Sequence, residues 1–165
     1  MDGSLTETSY DTYRRQAQEK SLEYQDFLSR ALSRRGIILQ NMTSRKYQFW
    51  SENLLGLEIK FDDMMERTGR LYIETAEKAE PREGDYVPAG IYRDDECWLY
   101  GIGNYQRFFI FGKKTLQRLD HYNPDWLFHP QEDKPTSKGF CIPVEKAQEL
   151  AERVIEFLPE ERGME

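Results

Sequence analysis

Apolar residues in the first part of the chain recur mostly at steps of three and four, the spacing of a helix with one apolar stripe. We predict a helix from about Ser9 to Arg35, and Gly36 after Arg34 is a good C-terminal stop. Glu23 lies on the flank of the stripe, one turn before Phe27. The positions that define the stripe are Tyr10, Tyr13, Ala17, Tyr24, Phe27, Leu28, Ala31 and Leu32.

Two stretches in the middle of the chain alternate between apolar and polar side chains, which indicates strands. We predict strands at Gly56–Asp62 and Arg70–Lys78, joined by a short polar connection that ends in Thr68-Gly69. If the strands pair as an antiparallel hairpin, the acids and lysines of both strands gather on one patch of sheet. The polar residues of that patch are Glu58, Lys60, Asp62, Tyr72, Glu74 and Lys78.

The rest of the chain divides into short elements. Before the central strands we predict a strand at Gly36–Asn41 and a connection at Thr43–Asn53. After them come a loop at Ala79–Pro88, a hairpin of Glu96–Ile102 and Gln106–Phe111 that turns at Gly103-Asn104, and a short helix at Thr115–Leu119. The chain then continues with an irregular stretch at His121–Lys138, a strand at Gly139–Pro143 and an amphipathic helix from Val144 to Leu158, closed by Pro159. This order predicts an α+β fold: a mixed sheet with a central β-meander, flanked by an N-terminal and a C-terminal helix.

The length and charge limit the kind of protein. A chain of 165 residues suits one domain, with residues 1–8 and 159–165 expected to be frayed tails. The net charge of −7 argues against a chain that simply coats nucleic acid. Seven acids and three bases in residues 145–165 give −4, which leaves −3 for the other 144 residues and room for a local basic surface.

Cysteine and histidine usage excludes the common structural metal sites. Cys97 and Cys141 are far apart in the sequence, in apolar runs, and are expected to be buried free thiols in a reducing compartment. His121 and His129 cannot by themselves make a zinc site. The chain shows no signal peptide and no apolar run long enough for a membrane span, so we expect a soluble cytoplasmic protein.

The acids of the central patch indicate a divalent-cation site. Carboxylates that converge on one point repel each other, and a hard cation between them removes that repulsion. Mg²⁺ binds through one or two carboxylates together with waters and phosphate oxygens. A nearby lysine can orient an attacking water or offset charge on a phosphoryl oxygen.

The connection Thr43–Asn53 interleaves basic and aromatic side chains. Arg45, Lys46 and Trp50 suit a strand of nucleic acid, whose bases stack on rings and whose phosphates pair with cations. The alternative is that Phe49 and Trp50 only cover the edge of the core.

At this point the chain resembles a known superfamily. A helix that carries a glutamate, a β-meander, an acid on one strand and an E-x-K-like element on the next resemble the plan of the PD-(D/E)XK nucleases, the restriction-endonuclease-like fold. The run GLEIKFDDMMERTGRLYIETAEK also looks like the core of small phage and mobile-element proteins of that kind. The resemblance spans roughly Glu23 to Leu119. It implies a nuclease that depends on Mg²⁺ or Mn²⁺ and hydrolyses phosphodiester bonds of DNA or RNA.

The resemblance implies roles for individual residues. Asp62 is then the metal-binding acid, Glu74 the acid of the E-x-K element and Glu23 the supporting acid on the helix. Glu58 is a third possible metal ligand in the patch.

This sequence departs from the family pattern at one position. Ala76 stands where the family has the lysine of E-x-K, so Lys78 or Lys60 would supply the amine from a displaced position. A second register is open, in which Glu58-Ile59-Lys60 is a literal E-x-K and Glu52 is the preceding acid. We prefer the register of Asp62 and Glu74, because their spacing of twelve suits a hairpin.

Two other interpretations belong to different classes of protein. The first is a catalytically silent member of the same fold, an acidic binding protein such as a phage-encoded inhibitor that occupies the nucleic-acid channel of a host protein. The second is that Glu58/Lys60 and Glu74/Lys78 are only ion pairs on an exposed sheet, each contributing about 0.2–1 kcal/mol.

Overall fold

The computed structural model describes residues 4–81, 84–130 and 136–162, with side chains described from residue 11 onward. The chain forms two compact units, Met1–Ile38 and Leu39–Glu165. Among the described residues, no helix combines the length and the apolar character needed to cross a bilayer.

The N-terminal unit is dominated by the helix α1, Ser4–Ser33. Gly36 N–H donates to Ser33 O at 3.0 Å and Ile37 N–H to Leu32 O at 3.0 Å. These two bonds form a Schellman motif, which is why the helix ends close to the predicted stop at Gly36. α1 begins at Ser4, within the stretch 1–8 that was predicted as a tail, and residues 1–3 lie outside the described part of the chain.

The C-terminal unit contains two sheets and several short helices. Its elements are α2 (Arg45–Gln48), β1 (Leu57–Phe61), α3 (Met65–Thr68), β2 (Arg70–Glu77), β3 (Val87–Pro88), a 3-10 helix (Gly90–Tyr92), β4 (Leu99–Gly103), β5 (Arg107–Gly112), α4 (Lys113–Tyr122), β6 (Ser137–Pro143), α5 (Val144–Leu150), β7 (Arg153–Glu156) and α6 (Pro159–Arg162). One sheet is mixed, in the order β1-β4-β5-β7, and the other is antiparallel, in the order β3-β2-β6. The predicted α+β class is therefore confirmed.

The predicted central β-meander is wrong. β1 pairs in parallel with β4, whereas β2 pairs with β3 and β6 in the other sheet. The connection between β1 and β2 is not a hairpin turn, because it contains α3, with Met65 buried, and ends in the left-handed Gly69 at φ 65°. The predicted strand Gly36–Asn41 contributes only an isolated bridge between Asn41 and Asn53.

The second predicted hairpin is confirmed, since β4 and β5 pair antiparallel. The short helix predicted at Thr115–Leu119 lies within the longer α4, and the last predicted strand ends at Pro143 as expected. Of the predicted irregular stretch His121–Lys138, residues 131–135 lie outside the described chain.

The predicted terminal helix Val144–Leu158 is wrong in its second half. The helix α5 ends at Leu150, and Ala151 is already extended with ψ 138°. The following β7 pairs antiparallel with β5. β-Branched Val154 and Ile155 favour a strand, and the free edge of β5 supplies their partner. The helix α6 lies in the predicted tail 159–165, of which residues 163–165 are not described.

A single core joins the two sheets of the C-terminal unit. β2 contributes Leu71 and Ile73, and β4 and β5 contribute Tyr100, Phe109 and Phe111, all fully buried in one apolar cluster. Cys97 and Cys141 form no disulfide with each other; Cys97 is buried as predicted, whereas Cys141 is half-buried.

Candidate functional site

The central feature of the site is a pair of charged residues on the core-facing side of β1. Because β1 and β4 are paired in register, Glu58 lies beside Tyr100, and Lys60 lies beside Ile102. Tyr100 and Ile102 both belong to the apolar core. The charged side chains therefore point toward the core rather than away from it. The interpretation of Glu58 and Lys60 as a pair on an exposed sheet is wrong, because Glu58 is fully buried.

These two residues belong to a chain of ion pairs with alternating sign. The Lys60 amine lies 3.1 Å from Glu58 Oε1 and 3.4 Å from Glu74 Oε2. The Lys113 amine lies 2.8 Å from Glu58 Oε2 and 3.0 Å from Asp95 Oδ1. We call Glu74, Lys60, Glu58, Lys113 and Asp95 the ion-pair network.

The two ends of the ion-pair network differ in how deeply their side chains are buried. The side chains of Glu58, Lys113 and Asp95 are 0, 6 and 5% exposed, whereas those of Glu74 and Lys60 are 15 and 25% exposed. The end formed by Lys60 and Glu74 is thus the end that solvent, or a ligand, can reach.

One buried carboxylate oxygen of the network lacks a hydrogen bond. Among the described residues, no group donates a hydrogen bond to Glu74 Oε1. The two oxygens of Glu58 are each occupied by a lysine amine, Oε1 by Lys60 at 3.1 Å and Oε2 by Lys113 at 2.8 Å. Buried carboxylate oxygens are normally hydrogen-bonded. Glu74 Oε1 therefore retains the capacity to bind another group.

Glu58 and Lys60 hold each other in their charged forms. Burial alone would raise the pKa of Glu58, but the Lys60 and Lys113 amines outweigh burial and hold that pKa below its ordinary value. Burial likewise opposes the charge of Lys60, yet the carboxylates of Glu58 and Glu74 raise its pKa above the ordinary value.

Further polar groups border the network. The Glu52 carboxylate accepts a hydrogen bond from Ile59 N–H at 3.0 Å, and burial raises the pKa of Glu52. The Glu74 N–H donates to the Tyr100 hydroxyl at 3.4 Å, and burial raises the pKa of that hydroxyl. Glu52, the preceding acid of the second register, is thus attached directly to β1.

Asp62 occupies a different environment from the network. Its Oδ1 accepts a hydrogen bond from Met64 N–H at 3.0 Å, and its Oδ2 accepts one from Tyr72 N–H at 3.1 Å. The carboxylate therefore closes the turn after β1 and holds it against β2.

Lys78 also lies elsewhere, because β2 contains an irregularity between Glu74 and Ala76 that shifts its register with β6. The Lys78 amine lies 5.1 Å from the centre of the Tyr86 ring, at the far end of the strand. The exposed-sheet pair of Glu74 with Lys78 does not form, since Glu74 pairs with Lys60 instead.

The remaining predicted residues lie outside the network. Glu23 is an exposed residue of α1 in the N-terminal unit. Arg45 and Lys46 are exposed residues of α2, and Trp50 is an exposed residue just after it.

Sequence reasoning missed Lys113 and Asp95. The available signal was the position of Lys113 as the first residue of α4, where the helix dipole disfavours a cation. A buried lysine at such a position needs a carboxylate partner, but the sequence alone does not identify Glu58 as that partner.

The described part of the chain contains no group of three or more acidic, histidine or cysteine side chains placed to hold a metal ion. Comparison of the chain with models of known protein families, with curated proteins and with solved structures finds no match. The functional argument therefore depends on the geometry and chemistry of the ion-pair network.

Proposed function

We propose that this protein is a metal-dependent nuclease that hydrolyses phosphodiester bonds of DNA or RNA at the open end of the ion-pair network. The observation that carries the proposal is the buried Glu74 Oε1, which lacks a hydrogen bond and belongs to a carboxylate that contacts the Lys60 amine, as Glu58 does. A literal E-x-K element, Glu58-Ile59-Lys60, supplies two of these side chains.

The donor set fits Mg²⁺ or Mn²⁺. Mg²⁺ takes one or two protein carboxylates and fills its other positions with water and phosphate oxygens. Glu74 Oε1 would hold the ion, and the negative charge of Glu58 would support it from the other side of Lys60, so a cluster of three acids is not needed. A bound ion of this kind polarises the phosphoryl oxygen and makes water a stronger nucleophile at neutral pH.

The protein side chains have distinct roles in this proposal. Lys60, ionised and next to both carboxylates, donates a hydrogen bond to a phosphoryl oxygen and offsets the charge that builds there. Lys113, deeper in the network, keeps Glu58 ionised. We favour this register over the register of Asp62, since both oxygens of Asp62 already accept backbone hydrogen bonds.

The test combines metal titration with cleavage assays. Calorimetric titration of Mg²⁺ and Mn²⁺ into wild type should show binding, and the protein should cleave a single- or double-stranded DNA or RNA substrate. Glu74→Gln and Lys60→Met should lower the cleavage rate by about 100-fold or more. The matched variants Asp62→Asn and Lys78→Met change the same residue types outside the network and should keep most activity.

The opposite pattern would select the other register. If Asp62→Asn abolishes metal binding while Lys60→Met cleaves normally, the preferred assignment to Glu58 and Lys60 is wrong. If no divalent ion binds and no substrate is cleaved, the nuclease proposal fails.

A second candidate is a catalytically silent acidic binding protein of the same kind, such as an inhibitor of a host nucleic-acid-binding protein. It is favoured by the lysines, since every acid of the network already contacts the amine of Lys60 or Lys113. In that case Lys60→Met changes stability, but wild type neither binds Mg²⁺ nor cleaves.

A further inference from the structure

A second feature of the C-terminal unit is a cluster of large side chains that point into solvent. Phe49, Trp50 and Trp98 are 77, 56 and 63% exposed, and Tyr47 and Leu54 are exposed as well. We call these five residues the aromatic surface. An exposed apolar patch of this kind is unusual unless it binds something.

The aromatic side chains are held in place although they are exposed. The Trp98 indole N–H donates to Leu55 O at 3.1 Å. The ring also packs so closely on Gly56 that a Cβ there would lie 2.6 Å from Trp98 Cδ1. The rings of Tyr47 and Trp50 meet edge to face, with centroids 5.9 Å apart. A preorganised ring loses little freedom when a ligand stacks on it.

The segment that carries the aromatic surface is anchored to the strand that carries Glu58 and Lys60. Glu96 N–H donates to Trp50 O, which joins the two segments that carry the tryptophans. Two residues beyond Trp50, the Glu52 carboxylate accepts a hydrogen bond from Ile59 N–H, between Glu58 and Lys60 on β1.

We infer that the aromatic surface stacks unpaired bases, so that the substrate is single-stranded nucleic acid. This inference rests on the proposed nuclease for the reaction itself. Every base offers a flat face to an aromatic ring in a single strand, whereas a duplex hides those faces within its stack.

The charges near the surface agree with this choice of substrate. Arg45 and Lys46 lie in the same segment as the aromatic residues and can pair with phosphates, and the Lys46 amine lies 5.7 Å from the centre of the Tyr47 ring. The exposed acid Glu96 lies beside Trp98, and the whole chain carries −7. Two cations in such surroundings suit a flexible single strand better than the dense charge of a duplex.

Tryptophan fluorescence tests the inference directly. The chain has three tryptophans, and Trp126 packs partly buried against the core. In a Trp126→Phe background the signal comes from the two surface tryptophans. A thymidine oligonucleotide of about 12 nucleotides, within the usual site size, is titrated in EDTA so that cleavage cannot occur. Its duplex with an adenosine strand and a uridine RNA of the same length are titrated in parallel.

Quenching by the single strands and a much weaker response to the duplex are expected. Trp50→Ala and Phe49→Ala, both at exposed positions, should each weaken binding at least about fivefold. For the two cations of the aromatic segment, Arg45 and Lys46, log affinity should fall with log salt with a slope of about −1.4, and Arg45→Gln/Lys46→Gln should remove that part of the slope.

Equal affinity for the duplex, or unchanged affinity in both aromatic variants, would overturn the inference. Absence of binding to every nucleic acid would also overturn it, and would direct attention to a protein partner. If the single strand binds but Mg²⁺ never supports cleavage, the proposed nuclease fails while the single-strand surface stands. If cleavage prefers the duplex and is unchanged by Trp50→Ala, the single-strand surface fails while the proposed nuclease stands.

Discussion

A fully buried glutamate between two lysines is costly for a protein to maintain. Desolvation of buried ions offsets most of their mutual attraction, and well-packed apolar replacements of such groups are often neutral or stabilising. A contribution to stability therefore explains poorly why the chain buries Glu58, Lys60 and Lys113 together. A function for the network explains their presence better, and it agrees with the buried Glu74 Oε1, which lacks a hydrogen bond.

The ion pair between Arg107 and Glu66 lies outside the network and is formed by hydrogen bonds on the surface of the unit. Arg107 donates two hydrogen bonds to the Glu66 carboxylate, at 2.9 and 2.8 Å. These bonds lower the pKa of Glu66 below its ordinary value. A depressed carboxylate pKa stabilises the folded state above the unfolded pKa of about 4.3, and this stabilisation is lost as the pH falls through the folded pKa.

We therefore predict that Glu66→Gln lowers the free energy of unfolding by about 0.5–1 kcal/mol at pH 7, since the pair is partly exposed. The difference between wild type and variant should disappear as the pH falls well below 4. Urea unfolding at several pH values measures it. A difference that stays constant down to the lowest pH would show that the carboxylate charge is not responsible.

How far the site could be predicted also differs from residue to residue. The strand pattern correctly brought Lys60 together with Glu74, although the pairing used to do so was wrong. Asp62 looked equivalent to Glu74 in the sequence because both end up on polar faces. The Asp62 carboxylate accepts hydrogen bonds from the backbone N–H groups of Met64 and Tyr72. These bonds depend on the turn that follows β1, and the alternation of apolar and polar residues does not predict the shape of that turn.

Among the elements, the start of α4 contributes most to the site. Its first residue, Lys113, is buried, and its backbone N–H donates to Trp98 O at 2.9 Å. The amine is thereby fixed between Glu58 and Asp95. The helix thus delivers a cation to the buried end of the network.

Lys113→Met should lower the free energy of unfolding by about 3–5 kcal/mol, because it leaves the buried Asp95 without a cation and removes one of the two cations beside Glu58. Lys114→Met is the matched control: it changes the exposed neighbour on the same helix and should shift stability by about 0.5 kcal/mol or less. Chemical denaturation of the three proteins gives the comparison. Similar stabilities for both variants would show that Lys113 does not balance the buried charge.

The strands whose pairing could be predicted are those whose partner strand is adjacent in the sequence. β4 and β5 are adjacent in sequence and pair as expected. The stretch Val144–Leu158 satisfies a helical period, yet its second half is a strand because the edge of β5 lies beside it. Alternation likewise identified β1 and β2, but it cannot say which strand lies next to which, since sheet partners are set by contacts distant in sequence.

For the molecule as a whole, the network is a junction between the two sheets of the C-terminal unit. Lys60 comes from β1 in the mixed sheet and Glu74 from β2 in the antiparallel sheet. Their contact holds the sheets together at the edge of the shared core. A ligand that binds both strands can therefore stabilise the folded unit and not only the site.

This coupling gives a measurable consequence of the proposed metal site. A ligand that binds only the folded state at ten times its dissociation constant stabilises it by about 1.4 kcal/mol. For a chain of this length that corresponds to a rise of about 3–6 °C in the melting temperature. We expect saturating Mg²⁺ to produce such a rise over EDTA in wild type and to produce none in Glu74→Gln. Glu149→Gln, which removes an exposed acid paired with Lys146, should retain the full rise, because its carboxylate lies outside the network. An equal rise in all three proteins would mean that Mg²⁺ acts through general screening of a chain with net charge −7, and not through a site at the junction of the sheets.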